Sequence, residues 1–321
     1  MHQQAAHRAS LGIDAVWHGF NALQSAQAPW GSVEAKRSLQ QLAATGANSV
    51  ALIPFLVQDH LHDTHIHIGN HVTEAQLSAA IRDAHAAGLS VVLKPQVLIR
   101  DHWAGELAFH DHAQESTWFA HYSRAMLHYA QLARQMGVEA LVIGTELQGM
   151  AQSRHWPQLI QQLRATYRGL LTYTAHNVEG VEAFPYWDQL DLIALSFYPN
   201  MGASGNPEEM LASVRRNLQR LNQAVQGMHQ PLWLLEIGIP SAQGASSRPW
   251  DWHDLSQRAP DLQLQQDAIA AWLQALQDTP RIRGVFIWNW MSDPHAGGTS
   301  DVDYTLQHKP AERVVRQQWQ R

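Results

Sequence analysis

The chain has 321 residues, 45% of them hydrophobic and 16% charged, with a formal charge of −6. This length suits one α/β barrel and does not force a second domain, and the lack of any basic run or stripe argues against a nucleic-acid partner. The absence of cysteine excludes disulfides, thiolate metal sites and a cysteine nucleophile, and no segment is apolar for long enough to span a membrane.

The first residues, "MHQQAAHRASLGI", carry no hydrophobic signal segment. Residues 1–11 read as an N-terminal extension. The sequence as written suggests a cytoplasmic protein, and a longer precursor would suggest a periplasmic or secreted one. Apolar runs then follow one another: "GIDAVWHGF" at 12–20, "NSVALIPF" at 48–55, "LSVVLKPQV" at 89–97 and "ALVIGTEL" at 140–147. Next come "LLTYTAHN" at 170–177, "DLIALSFYP" at 191–199, "PLWLLEIGIP" at 231–240 and "GVFIWNW" at 284–290. Contiguous apolar runs of this kind mark strands covered on both faces, as in a parallel sheet.

Amphipathic segments separate the runs. In "VTEAQLSAAIRDAHAAGLS", Thr73 and Gln76 have the spacing of a capping box and Gly88 stands where a helix should stop. "HWPQLIQQLRATYRGL" and "PEEMLASVRRNLQRLNQAVQG" read as two further helices. Eight strands alternating with helices predict a (β/α)8 TIM barrel, a single domain over 1–321. An open doubly wound sheet would usually carry a glycine-rich phosphate loop after its first strand, and "VWHGFNAL" is not one.

In such a barrel the functional groups lie at the carboxyl ends of the strands. The fourth run ends at Glu146, after Thr145, and the seventh at Glu236. The other runs end with Trp17 and His18, Lys94 and Gln96, His176 and Asn177, Tyr198, and Trp288 with Trp290. A single glutamate after a strand is more often a surface salt-bridge residue. Two at the same end of one barrel, among aromatic side chains, suit hydrolysis of a glycosidic bond: one carboxyl protonates the leaving oxygen while the other attacks or activates water from the opposite face. Burial and mutual repulsion should separate their pKa values, with Glu146 the protonated member. The chain has 13 tryptophans, and such aromatics suit a surface that stacks on sugar rings.

The stretches "VVLKP", "IGTEL", "WPQLIQQLRATYRGLLTYTA", "WDQLDLIALSFYP", "LLEIGIPS", "RPWDW" and "FIWNW" occur in the order found in glycoside hydrolase family 113, known for β-mannanases. The chain resembles that family over roughly residues 12 to 316. The resemblance implies a retaining β-glycosidase of the β-mannanase or β-mannosidase kind, without a cofactor or metal, whose partner is an oligo- or polysaccharide. It implies Glu146 as acid/base and Glu236 as nucleophile. It further implies Tyr198 as a donor to the nucleophile, Trp288 as the platform under the sugar, Lys94 as a contact to sugar hydroxyls, and Trp250 as a sugar contact. Trp17, Gln96, Thr145, His176, Asn177 and Trp290 complete the expected substrate-binding set. Where the wider clan usually has asparagine before the acid/base, this chain has Thr145, as does the narrower family pattern. Where the family tends to read Ala-Asn-Trp, this chain reads Ala175, His176, Asn177.

Other readings compete. Another β-linked polysaccharide or exopolysaccharide could be the substrate. A carbohydrate-binding barrel without catalysis would fit the fold, but both glutamates are present. "QDHLHDTHIHIGNH", residues 58–71, invites a metal site or an amidohydrolase-type barrel. Its His65-Ile66-His67 pair follows the second run rather than the first, so a polar loop on the rim is favoured. His110, His112 and His121, with Trp103, fall in a long segment after the third run that is either a cleft wall or a loop folded back on the barrel. Trp118, Trp156, Trp233, Trp272 and Trp319 read as packing residues.

Overall fold

A computed structural model describes residues 11–320. The N-terminal extension expected over 1–11 lies outside these residues apart from Leu11. Eleven strands form: β1 (Trp17–Leu23), β2 (Ser49–Leu52), β3 (Phe55–Gln58), β4 (His67–Ile68), β5 (Ser90–Leu93), β6 (Gln96–Ile99), β7 (Ala140–Thr145), β8 (Leu170–His176), β9 (Ile193–Ser196), β10 (Leu232–Ile237) and β11 (Ile282–Met291). Eight of them close into one barrel in the order β1-β11-β10-β9-β8-β7-β5-β2, and every neighbouring pair is parallel. The helices are α1 (Val33–Ala43), α2 (Glu74–Ala86), α3 (His112–Met136), α4 (Trp156–Thr166), α5 (Asn177–Ala183), α6 (Pro207–Ala224), α7 (Leu262–Leu276) and α8 (Pro310–Trp319). This is the (β/α)8 TIM barrel that the alternation predicts. Among the described residues no helix is long and apolar enough to cross a membrane.

Local signals in the sequence set the helix ends. The Thr73 hydroxyl accepts from the Gln76 amide at 3.2 Å while the Gln76 side chain accepts from the Thr73 amide at 2.8 Å, and Gly88 just beyond α2 takes the left-handed φ of 80°. Pro207 occupies the first turn of α6, where its missing N–H costs nothing, and Asn206 caps that helix.

Two of the apolar runs are each cut in two by a proline. Pro54 and Pro95 have no amide to donate, so the barrel ladder stops at Leu52 and Leu93. The chain resumes as β3 and β6, which pair in parallel, with β4 antiparallel to β3. This three-stranded sheet continues the second and third barrel strands beyond the barrel.

The barrel is filled, not hollow. Trp17, Trp233 and Phe286 pack with Ala51, Val92, Ala140, Val142, Leu192, Ala194 and Leu235 in its interior. The Trp17 and Trp233 rings lie 4.6 Å apart. Gly284 makes room for them, since a Cβ there would come within 2.4 Å of the Trp233 ring. A second, larger apolar layer lies between the strands and the helices.

Candidate active site

The two glutamates are held in different ways. Glu146 follows the last residue of β7 and has a φ of 54°, a left-handed conformation unusual for a side-chain-bearing residue. Its amide is fixed by the Thr174 carbonyl at 2.8 Å. Gly144, two residues earlier, lets the wall pack closely, because a Cβ there would sit 2.8 Å from Trp156. The Glu146 Oε2 accepts a hydrogen bond from the Trp103 indole at 2.8 Å. The same oxygen lies 3.4 Å from His176 Nδ1. The Trp103 and His176 rings meet edge to face with centroids 4.6 Å apart.

Glu236 lies within β10 and is 5% exposed. Its Oε1 accepts from the Lys94 ammonium and from the Gln96 amide, the latter at 2.9 Å. Its Oε2 accepts from the Tyr198 hydroxyl at 2.9 Å. Lys94 is fully buried. It also donates to Asn21 Oδ1 at 3.0 Å and lies 5.6 Å from the Trp288 ring centroid. Asn21 in turn donates to the Leu235 carbonyl at 2.8 Å, tying β1 to β10. Three donors therefore converge on one buried carboxyl, an arrangement that fixes both its charge and its orientation.

Asn177 is the second residue here with a left-handed backbone, φ 53°. Its Oδ1 accepts from the Tyr198 amide at 3.1 Å, and its Nδ2 lies 3.0 Å from His176 Nε2. The dipeptide His176-Asn177 thus touches both halves of the site, Glu146 through one residue and the Tyr198 support of Glu236 through the other. Strained backbones of this kind cost roughly 1–3 kcal/mol each and collect where a site needs them.

The pKa shifts of the pair run opposite in direction to the sequence expectation. Burial raises the Glu146 carboxyl, but the His176 imidazole, the Ser196 hydroxyl and the Trp103 indole outweigh it, and the group falls below its ordinary range. Burial pushes Glu236 above its ordinary range; the Lys94 ammonium and the Tyr198 hydroxyl oppose that, and repulsion from Glu146 adds to it. The repulsion was foreseeable. The partner that draws Glu146 down, His176, is not foreseeable, because the strand-end position alone points its ring toward substrate.

Two expected contacts are corrected. Trp17 is fully buried, packed at a tilt against Trp233 in the barrel floor, with its indole donating to the Gly12 carbonyl at 3.1 Å. "GIDA" forms a turn rather than a strand, with the Ala15 amide bonded to the Gly12 carbonyl. The first strand therefore begins at Trp17 instead of ending near it, and His18 bonds the Gly46 carbonyl instead of facing the mouth. Trp290 is also buried, packed on Phe20 at 5.0 Å and donating to the Ser38 hydroxyl. The register between β1 and β11 slips between Asn21 and Ala22, so Trp290 faces the helix layer although it stands two residues from Trp288.

Other residues are more simply reported. Lys94, expected to reach sugar hydroxyls, contacts Glu236 and Asn21 instead. Thr145 is buried beside Glu146. Trp250 is 45% exposed on the loop after β10. Its neighbour Pro249 accepts from the Tyr304 hydroxyl, and Tyr304 packs edge-on against Tyr198. Asn21 and Trp103 were missed as site residues, although Asn21 follows Trp17 and Gly19 on the inward phase of the strand.

The segment after the third run is not a loop: from His112 it is the 25-residue helix α3. His65, His67, His121 and His128 line a separate open cleft of about 560 Å³ with Arg124, whose walls include none of the strand-end residues. Among the described residues no group of three His, Cys, Asp or Glu side chains is arranged to hold a metal ion.

A closed parallel barrel with two glutamates at the carboxyl ends of its fourth and seventh strands, surrounded by aromatic and amide side chains, is the architecture of a glycoside hydrolase. The model of glycoside hydrolase family 113 matches residues 18–309, and the chain belongs to that family. Among solved structures, the family 113 β-mannanase of Alicyclobacillus acidocaldarius, in complex with ManMIm, is 30% identical. It superposes with a TM-score of 0.83, over 97% of this chain and 98% of that one. A second family 113 β-1,4-mannanase is 27% identical, with a TM-score of 0.83 over 96% and 99%. A β-glucuronidase of Ruminococcus gnavus, 14% identical with a TM-score of 0.63, shares the fold across 95% of this chain and 49% of that one. No curated protein matches.

Proposed function

We propose that this glycoside hydrolase is a retaining β-mannanase or β-mannosidase with Glu236 as nucleophile and Glu146 as acid/base. The observation that carries the assignment is the asymmetry between the carboxylates. Glu236 is embedded in a strand under three donors, as a group that must attack one carbon from one direction should be. Glu146 stands at the strand's end on two aromatic donors, with its side chain 17% exposed, as a group that must exchange protons with a leaving group and then with water should be. Glu236 attacks the anomeric carbon while Glu146 gives its proton to the departing oxygen. In the second step Glu146 takes a proton from water as that water displaces Glu236. Trp288 supplies an apolar face beside the pair. Two full-length relatives described as β-mannanases favour a mannose-containing substrate.

Azide rescue on an activated aryl β-mannoside tests the roles. Glu146→Ala should still form the glycosyl-enzyme but stall at its hydrolysis, and azide should then yield the β-glycosyl azide. Glu236→Ala should yield the α-glycosyl azide by a single displacement. The opposite anomers would reverse the roles, and full activity in both variants would end the proposal. Cleavage of another aryl β-glycoside but not the mannoside would overturn the substrate half alone.

A further inference from the structure

The pair that touches Glu146 has a hydrogen-bond polarity that can be read from its far end. The Tyr198 amide is a donor, so the Asn177 atom facing it at 3.1 Å must be the carbonyl oxygen Oδ1. The amide orientation of Asn177 is thereby decided by its network rather than assumed. Its other atom, the NH2 nitrogen, then faces His176 Nε2 at 3.0 Å. An NH2 group only donates, so Nε2 must offer a lone pair. The imidazole proton is left on Nδ1, which lies 3.4 Å from Glu146 Oε2. Nδ1 is buried and makes no geometric hydrogen bond among the described residues, so the 3.4 Å approach to Glu146 is its nearest polar contact. Which ring nitrogen carries the proton is set by the bond the other one makes.

We propose that Asn177 locks the neutral form of His176 as the Nδ1–H tautomer and disfavours its imidazolium, so that Glu146 is drawn less strongly to its ionised form when it must deliver a proton. This rests on the acid/base reading of Glu146. His176 and Asn177 are positioning residues, acting through Glu146. Three carboxylates face the ring, Glu146 from the end of β7, Glu236 from β10 and Glu179 from α5, and the Lys94 ammonium stands behind Glu236. Burial disfavours a charged ring, but these carboxylates pull the imidazole above its ordinary range. An imidazolium would place two N–H donors against each other at the Asn177 contact. That contact opposes the carboxylates, and it is available only because this chain has asparagine at 177.

Asn177→Asp tests the lock. The substitution keeps an oxygen for the Tyr198 amide and tolerates the left-handed backbone, but puts an acceptor where the donor was. Nitrogen-15 NMR of the imidazoles, with the His176 signals identified by their loss in His176→Gln, reads protonation and tautomer directly. In the wild-type protein the neutral form of His176, reached by raising the pH, should carry its proton on Nδ1. In Asn177→Asp the imidazolium should be favoured, with a midpoint at least about one pH unit higher. An Nε2–H tautomer in the neutral wild-type ring, or unchanged titration in Asn177→Asp, would each overturn the lock. The wild-type spectrum decides the matter even if the aspartate variant folds poorly. The kinetic companion compares aryl β-mannosides with poor and good leaving groups. Asn177→Asp should lose about 10²-fold in kcat/KM on the poor leaving group, the lower range for general-acid catalysis, and little on the good one. If the NMR result holds while this contrast is absent, the acid role of Glu146 fails and the lock stands.

Discussion

Lys94 is fully buried between Asn21 and Glu236, so its charge has no water around it. Replacing it with Met would leave a buried carboxyl facing apolar surroundings. An opposite charge at this range lowers a carboxyl by about 1–3 pKa units, so its loss raises Glu236 further. If Glu236 is the nucleophile proposed above, it must be ionised to attack, and the acid limb of the kcat/KM profile should move to higher pH by about that amount. An unmoved acid limb in Lys94→Met would show that Glu236 does not set it. Breaking one partner of a buried pair also destabilises, by about 3–5 kcal/mol, so the variant should denature at lower urea concentration. The two glutamates, Gln96 and Tyr198 were legible in the sequence because each stands at or just after the end of an apolar run. Trp103 was not, because its bond to Glu146 bridges 43 residues and leaves no local periodicity. Asn21 was obscured by one misplaced boundary, which put Trp17 at the wrong end of its strand.

Among elements, helix ends were the most readable. The Thr73–Gln76 box is local chemistry, and it formed as spaced. Thr73→Ala should therefore cost about 1 kcal/mol, measurable as a shift in the urea midpoint with kcat and KM unchanged. A loss of activity without a loss of stability would mean that α2 bears on the site in some other way. Strand boundaries were harder to read. "NSVALIPF" and "LSVVLKPQV" look continuous because periodicity registers apolar character, whereas the ladder registers amides. The register slip beside Asn21 is likewise a property of two strands at once, so the reversal of Trp290 had no signature in "FIWNW".

At the scale of the molecule, closing the ring was implied by eight alternating runs, but how the ring is filled was not. The bulk of the floor comes from Trp17 and Trp233, whose tilted rings meet in the interior. Trp17→Ala should destabilise the barrel by about 3–5 kcal/mol, read by chemical denaturation, while the KM of the surviving folded enzyme stays unchanged. A raised KM with little loss of stability would return Trp17 to the substrate.

The paired register of the second and third barrel strands ends at Leu52 and Leu93, with the Ile53 and Lys94 amides making the last bonds to the Ala22 and Leu52 carbonyls before the prolines. Beyond Pro54 and Pro95 the chain belongs to the separate three-stranded sheet, so changes there leave the barrel registers untouched. That freedom has a limit. Gln96, the residue directly after Pro95, donates to Glu236, so its position is tied to the chemistry even though it already belongs to β6.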